Sequence, residues 1–358
     1  MAERHRYLAE LITAVGLLSP AMVMAQPGSD STRTAEATIR APARFYSSLE
    51  PLEFRLSLNM RVVRADTMDD PPSRAATVSL SDDAGKTVDL PVKVKTHGRW
   101  RLTNCEFPPL TVNFGDARTT DTPLAGLGKA RMTSVCRNLA EYEQYVLQEL
   151  QLYRVYGLLT PYSQAARAVK VTWVDSANGR TIATRYGFFI EDRDAFATRL
   201  NSAWMKAQGA IASDLSPPHA AVMGLFEYLI SNTDFFLSAL HNVLLLGTPA
   251  GEIVPVAFDF DYAGAVNTPY AIPNPILKIK SVRDRLFRGP CANSQAFQEA
   301  YALFNERRPA IQALYDDPIG KLLRWEVAND TRKFFDDFYR VINDTALARV
   351  EIMERCEK

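Results

Sequence analysis

Apolar and polar residues alternate with a period near two from Leu52 to about Phe114, in runs such as FRLSLNMRV (54–62), LPVKVKTHGRWRL (90–102) and LTVNF (110–114). Strands place successive side chains on opposite faces, so this alternation predicts a small antiparallel sheet. The polar segment DTMDDPPSR (66–74), with its two adjacent prolines, reads as a loop between strands. The period then changes. In NLAEYEQYVLQELQLYRVYG, the residues Leu139, Tyr142, Tyr145, Val146, Leu150, Tyr153 and Tyr156 recur close to every 3.6 positions, and the run stops at Gly157. That spacing predicts one long amphipathic helix. Two strands follow, AVKVTWVD and TIATRYGFFIED, joined by SANGR, whose Asn-Gly is a hairpin signal.

Past Asp192 the pattern is mainly helical, through DAFATRLNSAWM, PHAAVMGLFEYLIS, SQAFQEAYALFNERRPAIQALY and LLRWEVANDTRKFFDDFYRVIND. Into this half is set one strand pair, VLLL and IVPVAFDF, around the turn GTPAG. The expected order is a β-rich N-lobe over 49–191, a crossover near Glu191, and a helical C-lobe over 192–358 with one hairpin. The class is α+β.

Composition changes this picture little. Of 358 residues, 47% are hydrophobic and 23% charged, as in ordinary globular chains. The net charge is zero, so no global field draws the chain to nucleic acid, and nucleic acid is not an expected partner. The N-terminus changes more. Arg4 and Arg6 precede the apolar run Leu11–Met24, which ends in Val23-Met24-Ala25. This is a signal-peptide pattern over 1–25 with a cut after Ala25, and it is short of the roughly 20 apolar residues that a membrane span takes. Residues 26–48 then read as a flexible leader. Export to the periplasm or the exterior is the expectation, with no transmembrane segment after cleavage. Four cysteines, Cys105, Cys136, Cys291 and Cys356, suit two disulfides in that compartment. Cys105–Cys136 and Cys291–Cys356 are favoured because each pair falls within one proposed lobe.

Polar residues in apolar company mark the candidate site. YLISNTDFFLSALHN (228–242) places Asp234 after a helix-like run, and PVAFDFDYAG (255–264) places Asp259 and Asp261 after a strand-like one. An antiparallel hairpin around GTPAG brings its outer ends together, so Asn242 at its entrance lies near Asp259 at its exit. Alternate residues of a strand share a face, which puts Asp261 beside Asp259. Hard oxygen donors of this kind suit Mg²⁺ or Mn²⁺ with retained waters and a phosphate. Phosphoryl transfer needs such an ion and an acid to orient the attacking hydroxyl.

Several phrases in this order, HGRWRLTNCEFPPLTVNF, YEQYVLQELQLYRVYGLLTPYS, YLISNTDFFLSALHN, PVAFDFDYAG and SVRDRLFRGPC, resemble secreted bacterial members of the CotH-like branch of the atypical protein kinases, over roughly residues 50–295. The resemblance implies a two-lobed protein-kinase-like fold and a metal-dependent phosphotransferase acting on a protein or cell-envelope acceptor. It implies Asp234 as the catalytic acid, and Asn242, Asp259 and Asp261 as metal ligands. It also implies a nucleotide, ATP or another, held by Lys129 or Arg131 with Glu149, with its base near Glu191. The chain has no G-x-G-x-x-G loop and no His-Arg-Asp triplet. The alternative is therefore an inactive envelope protein that serves as a binding or assembly platform.

Overall fold

The computed structural model describes residues 39–115 and 117–358, and these belong to a single compact unit. The signal peptide and most of the leader lie outside the described residues. Of the leader, Arg40 already hydrogen-bonds the Arg199 carbonyl at 2.9 Å, and Phe45, in a short turn over Arg44–Ser47, is buried.

The alternating half folds into seven strands: β1 (Leu52–Leu58), β2 (Arg74–Ser81), β3 (Thr87–Thr96), β4 (Leu110–Asn113), β5 (Lys129–Ser134), β6 (Ala166–Asp175) and β7 (Arg180–Glu191). Alternation sets which face is inside. Leu52, Phe54, Leu56 and Leu58 of β1, and Leu90, Val92 and Val94 of β3, are buried, while Glu53, Arg55, Pro91 and Lys93 face out. Trp173, Phe107, Phe114 and Phe189 complete the buried set.

These strands form a closed barrel in the order β1-β2-β3-β4-β5-β7-β6. Six of the pairings are antiparallel. Closure comes from the seventh, a parallel pairing of β1 with β6 from Leu52↔Val169 to Leu58↔Asp175. The expectation of a two-lobed protein-kinase-like fold is therefore corrected: the β-rich half is a closed seven-stranded mixed barrel, with eight α-helices among the described residues. Closure leaves no free sheet edge, and it depends on a pairing between distant segments that local alternation does not encode.

Short helices α1 (Met60–Ala65) and α2 (Trp100–Asn104) interrupt the barrel strands, and α3 (Ala140–Leu159) leaves from β5. The amphipathic reading of α3 is also corrected. Every residue from Val146 to Tyr153 is buried, because α3 packs on β6 and β7 on one side and on α5 (Pro217–Ile230) and α6 (Ser294–Ala313) on the other. Two of its polar side chains donate inside: Gln148 to Thr331 Oγ1 at 2.9 Å and Gln151 to the Leu314 carbonyl at 2.8 Å.

DAFATRLNSAWM is not one helix. It forms α4 (Arg193–Arg199) and then a strand, β8 (Ala203–Met205), which pairs with β9 (Val243–Gly247). The expected hairpin of β9 with β10 (Ile253–Ala257) is present, from Ala257↔Val243 to Ile253↔Gly247. Helices α7 (Trp325–Ile342) and α8 (Thr345–Ala348) complete the fold. Disulfides join Cys105 to Cys136 and Cys291 to Cys356, which fits an oxidising compartment. No described helix is long and apolar enough to cross a membrane.

Replacing both Cys291 and Cys356 by Ala removes a cross-link between residues 65 apart in sequence. Loop-closure entropy predicts a loss of about 2–4 kcal/mol, read as a lower guanidinium midpoint with an altered slope.

Candidate functional site

Helix α5 ends where Ser231 takes a left-handed conformation (φ 53°), which turns the chain sharply toward Asp234. Asn232 then accepts the Asp234 backbone N–H on its Oδ1 at 3.1 Å, a local Asx turn. Reciprocal backbone bonds between Phe236 and His241, 3.0 and 3.1 Å, fold the next residues back. That return brings His241 Nε2 to 3.1 Å from Asp234 Oδ1 and Asn242 Nδ2 to 3.2 Å from Oδ2. The same Asn242 amide donates to the Asp234 carbonyl at 2.7 Å, so its Oδ1 is the atom left to accept or ligate. From below, Arg288 Nη1 donates to the carbonyls of Thr233 and Phe235, at 2.7 and 3.1 Å. The arginines of SVRDRLFRGPC are thus internal braces: Arg285 likewise binds the carbonyls of Tyr228 and Leu229, and Arg283 pairs with Asp330.

Strand β10 stops at Ala257, so the sequence picture of Asp259 and Asp261 on one strand face is corrected. Asp259 sits in a left-handed turn (φ 66°), and its N–H donates to the Tyr153 hydroxyl of α3 at 3.0 Å. Asp261 is buried. It accepts from the Tyr270 hydroxyl at 3.1 Å and lies 3.8 Å from Arg101 Nη1. Burial and the nearby Asp259 push Asp261 up to about 7.

Asp234, Asn242, Asp259 and Asp261 line one cleft of about 370 Å³, and Arg131 lines its barrel side. The other nucleotide-site expectations are redistributed. Lys129 lies outside this cleft and pairs with Asp192 and Asp194 at 3.2 and 3.5 Å. Glu191 is a buried structural acid: it holds Arg199 at 2.7 Å and accepts the Ala165 N–H at 3.2 Å. Glu149 is paired with neither Lys129 nor Arg131. Its partner is Arg101 at 3.6 Å, and burial raises its pKa well above the carboxylate range despite that guanidinium.

Arg101 lies in the phrase HGRWRLTNCEFPPLTVNF, and no role for it was read from the sequence. Its helix α2 is stapled by Cys105–Cys136 beside the end of β5, and Arg101 Nη2 donates to the Ser134 carbonyl at 2.6 Å. His97, Arg193 and Glu227 also escaped the sequence reading. His97 Nδ1 lies 3.2 Å from Arg131 Nη2. Burial, then Arg131, Arg193 and Arg101, hold its ring well below the usual imidazole range, so it is neutral. Burial and the repulsion of Arg131 push Arg193 down to about 10 as it stacks 4.7 Å over Phe258. His97 Nε2 and Arg193 Nε have no hydrogen-bond partner among the described residues. The cleft therefore has an acidic pole on the Asp234–Asn242–Asp259 side and a basic pole around Arg131.

Neither a protein-family model nor a curated protein matches the chain. Among the described residues no three His, Cys, Asp or Glu side chains form a ready metal cage. The donors lining the cleft are the carboxylates of Asp234, Asp259 and Asp261, the last engaged by Tyr270, and the Asn242 side chain. That set fits a hard divalent ion which keeps waters and takes substrate oxygens, and it does not fit a closed structural site.

Glu227, on α5 beneath the Asp234 turn, is 1% exposed, and neither of its carboxyl oxygens is hydrogen-bonded among the described residues. Burial raises its pKa well above the usual 4.5, offset in part by Asn232. A carboxyl raised on folding adds stability below its unfolded pKa and loses it as pH rises through the folded one. Glu227→Gln should therefore flatten the fall in urea midpoint between pH 5 and pH 8. The gap to wild type should widen by up to about 1.4 kcal/mol per pH unit within that window.

Proposed function

We propose that the cleft belongs to an exported, metal-dependent phosphotransferase whose acceptor is a hydroxyl on a protein or a cell-envelope component. The observation that carries this reading is that the set Asp234, Asn242 and Asp259 shares one cleft with Arg131. Phosphoryl transfer requires both, one to hold a divalent ion and a nucleophile, the other to take up phosphate charge. The motif order shared with CotH-like proteins supports the assignment of roles. The two disulfides support a periplasmic or secreted location.

Asp234, held by His241 and Asn242, orients the acceptor hydroxyl and accepts its proton. Asn242 Oδ1 and Asp259 would hold Mg²⁺ or Mn²⁺, which when bound shields the transferring phosphate's charge. Arg131, which lines the cleft, receives the equatorial oxygens of the donor, a nucleotide such as ATP or another polyphosphate, and Arg193, stacked on the cleft residue Phe258, adds positive charge. The neutral His97 donates or accepts beside them, according to which ring nitrogen carries its proton. Tyr153 fixes Asp259 through its backbone N–H and so sets its carboxylate relative to α3.

A second reading, a binding platform without transfer, draws on the engagement of Asp261 by Tyr270 and Arg101, which leaves few free ligands for an ion. Thermal-shift titrations with Mn²⁺ and nucleoside triphosphates or pyrophosphate separate the two. Wild type should gain stability with ion and donor together, about 2.7 kcal/mol at a hundredfold excess over Kd. Asp259→Ala and Arg131→Met should each weaken binding at least tenfold, or about 1.4 kcal/mol. Asp234→Asn should bind normally and transfer nothing. Binding in wild type without transfer to any acceptor supports the platform.

A further inference from the structure

Asp261 is the acid that Asp234, Asn242 and Asp259 lack for a three-carboxylate site, and it is occupied by the protein itself. Its Oδ2 accepts the Tyr270 hydroxyl at 3.1 Å, and its backbone carbonyl accepts Thr268 Oγ1 at 3.0 Å. The Tyr270 ring lies 4.6 Å from Trp100 at the cleft mouth and 5.8 Å from Tyr262. Beyond this anchor the chain is lightly held. Ile272 and Ile276 are 74% and 82% exposed, and Asn267 and Lys278 both adopt left-handed backbone, with φ of 55°. Two left-handed turns thus bracket a segment that is anchored at its start by the buried Thr268 and by Tyr270 and is exposed beyond them.

We propose that residues 267–278 form a strap that regulates ion binding in the cleft: with Tyr270 seated, Asp261 Oδ2 is held by Tyr270 and Arg101, and with the strap lifted it is released from Tyr270 and turns from Arg101 to join Asp259 and Asn242. The inference rests on the metal-dependent reading above. One ligand cannot favour both states equally, so an ion that recruits Asp261 lifts the strap, and anything that holds the strap down weakens the ion. The exposed isoleucines and the Trp100–Tyr270 contact are what a third component could grip, which makes the strap a control point at the mouth of the cleft.

Mn²⁺ alone, titrated into the full chain by electron paramagnetic resonance, tests this. Tyr270→Phe removes one hydroxyl and keeps the ring, and it should bind Mn²⁺ roughly tenfold tighter than wild type. Adding Asp261→Asn to Tyr270→Phe should abolish that gain. Limited trypsin digestion supplies an independent readout: Mn²⁺ should speed cleavage after Lys278 and Lys280 in wild type by several fold. Equal Mn²⁺ affinity in wild type and Tyr270→Phe, with unchanged cleavage, overturns the strap and leaves the metal reading standing. No Mn²⁺ binding in either protein overturns both.

Discussion

A buried polar side chain is costly unless it finds a partner, and the middle of α3, Val146–Tyr153, is buried throughout. The amide nitrogens of its Gln148 and Gln151 donate to the α6–α7 region, at Thr331 and Leu314. Its Glu149 finds Arg101 from the barrel, and its Tyr153 hydroxyl takes the Asp259 N–H. One helix thereby fixes the barrel, the C-terminal helices and the cleft in a common frame. The penalty for breaking any of these contacts is desolvation without compensation, typically larger than the net worth of the bond itself.

The cleft inherits its electrostatics from this arrangement. Barrel residues, among them His97 and Arg131, and the Asp234–Asp259 turns line the same gap, with Arg101 set against Asp261 between them. Burial then amplifies every interaction: it raises Glu149 and Asp261, lowers His97 and Arg193, and leaves the poles sensitive to whatever ion or anion enters. Of these, His97 and Asp261 line the cleft itself, and perturbed groups in a concavity favour a functional site.

Local patterns were legible and long-range pairings were not. Alternation located the strands, and the GTPAG turn placed Asn242 opposite the exit of β10, because hairpin geometry follows from a few adjacent residues. Barrel closure rests on Leu52 meeting Val169, which no local period announces, and so an open lobe was expected in its place. The run of buried residues in α3 was read as amphipathic because Glu149, Gln148 and Gln151 look like surface residues until their partners are known. Arg101 was missed for a related reason. Its approach to Glu149 depends on a disulfide and a short helix, whereas Lys129, on the strand beside it, was nearer in sequence to expectation and turned out to serve Asp192 and Asp194.

Arg288 grips the Thr233 and Phe235 carbonyls with one nitrogen and Glu357 with others, at 3.0 and 2.9 Å, and Glu357 directly follows Cys356. The Cys291–Cys356 disulfide is therefore only two side chains away from the turn that aims Asp234. Glu357 is also held by backbone bonds with Gly289 and Cys291, so the C-terminal residues clamp that turn from a frame the cleft itself does not supply.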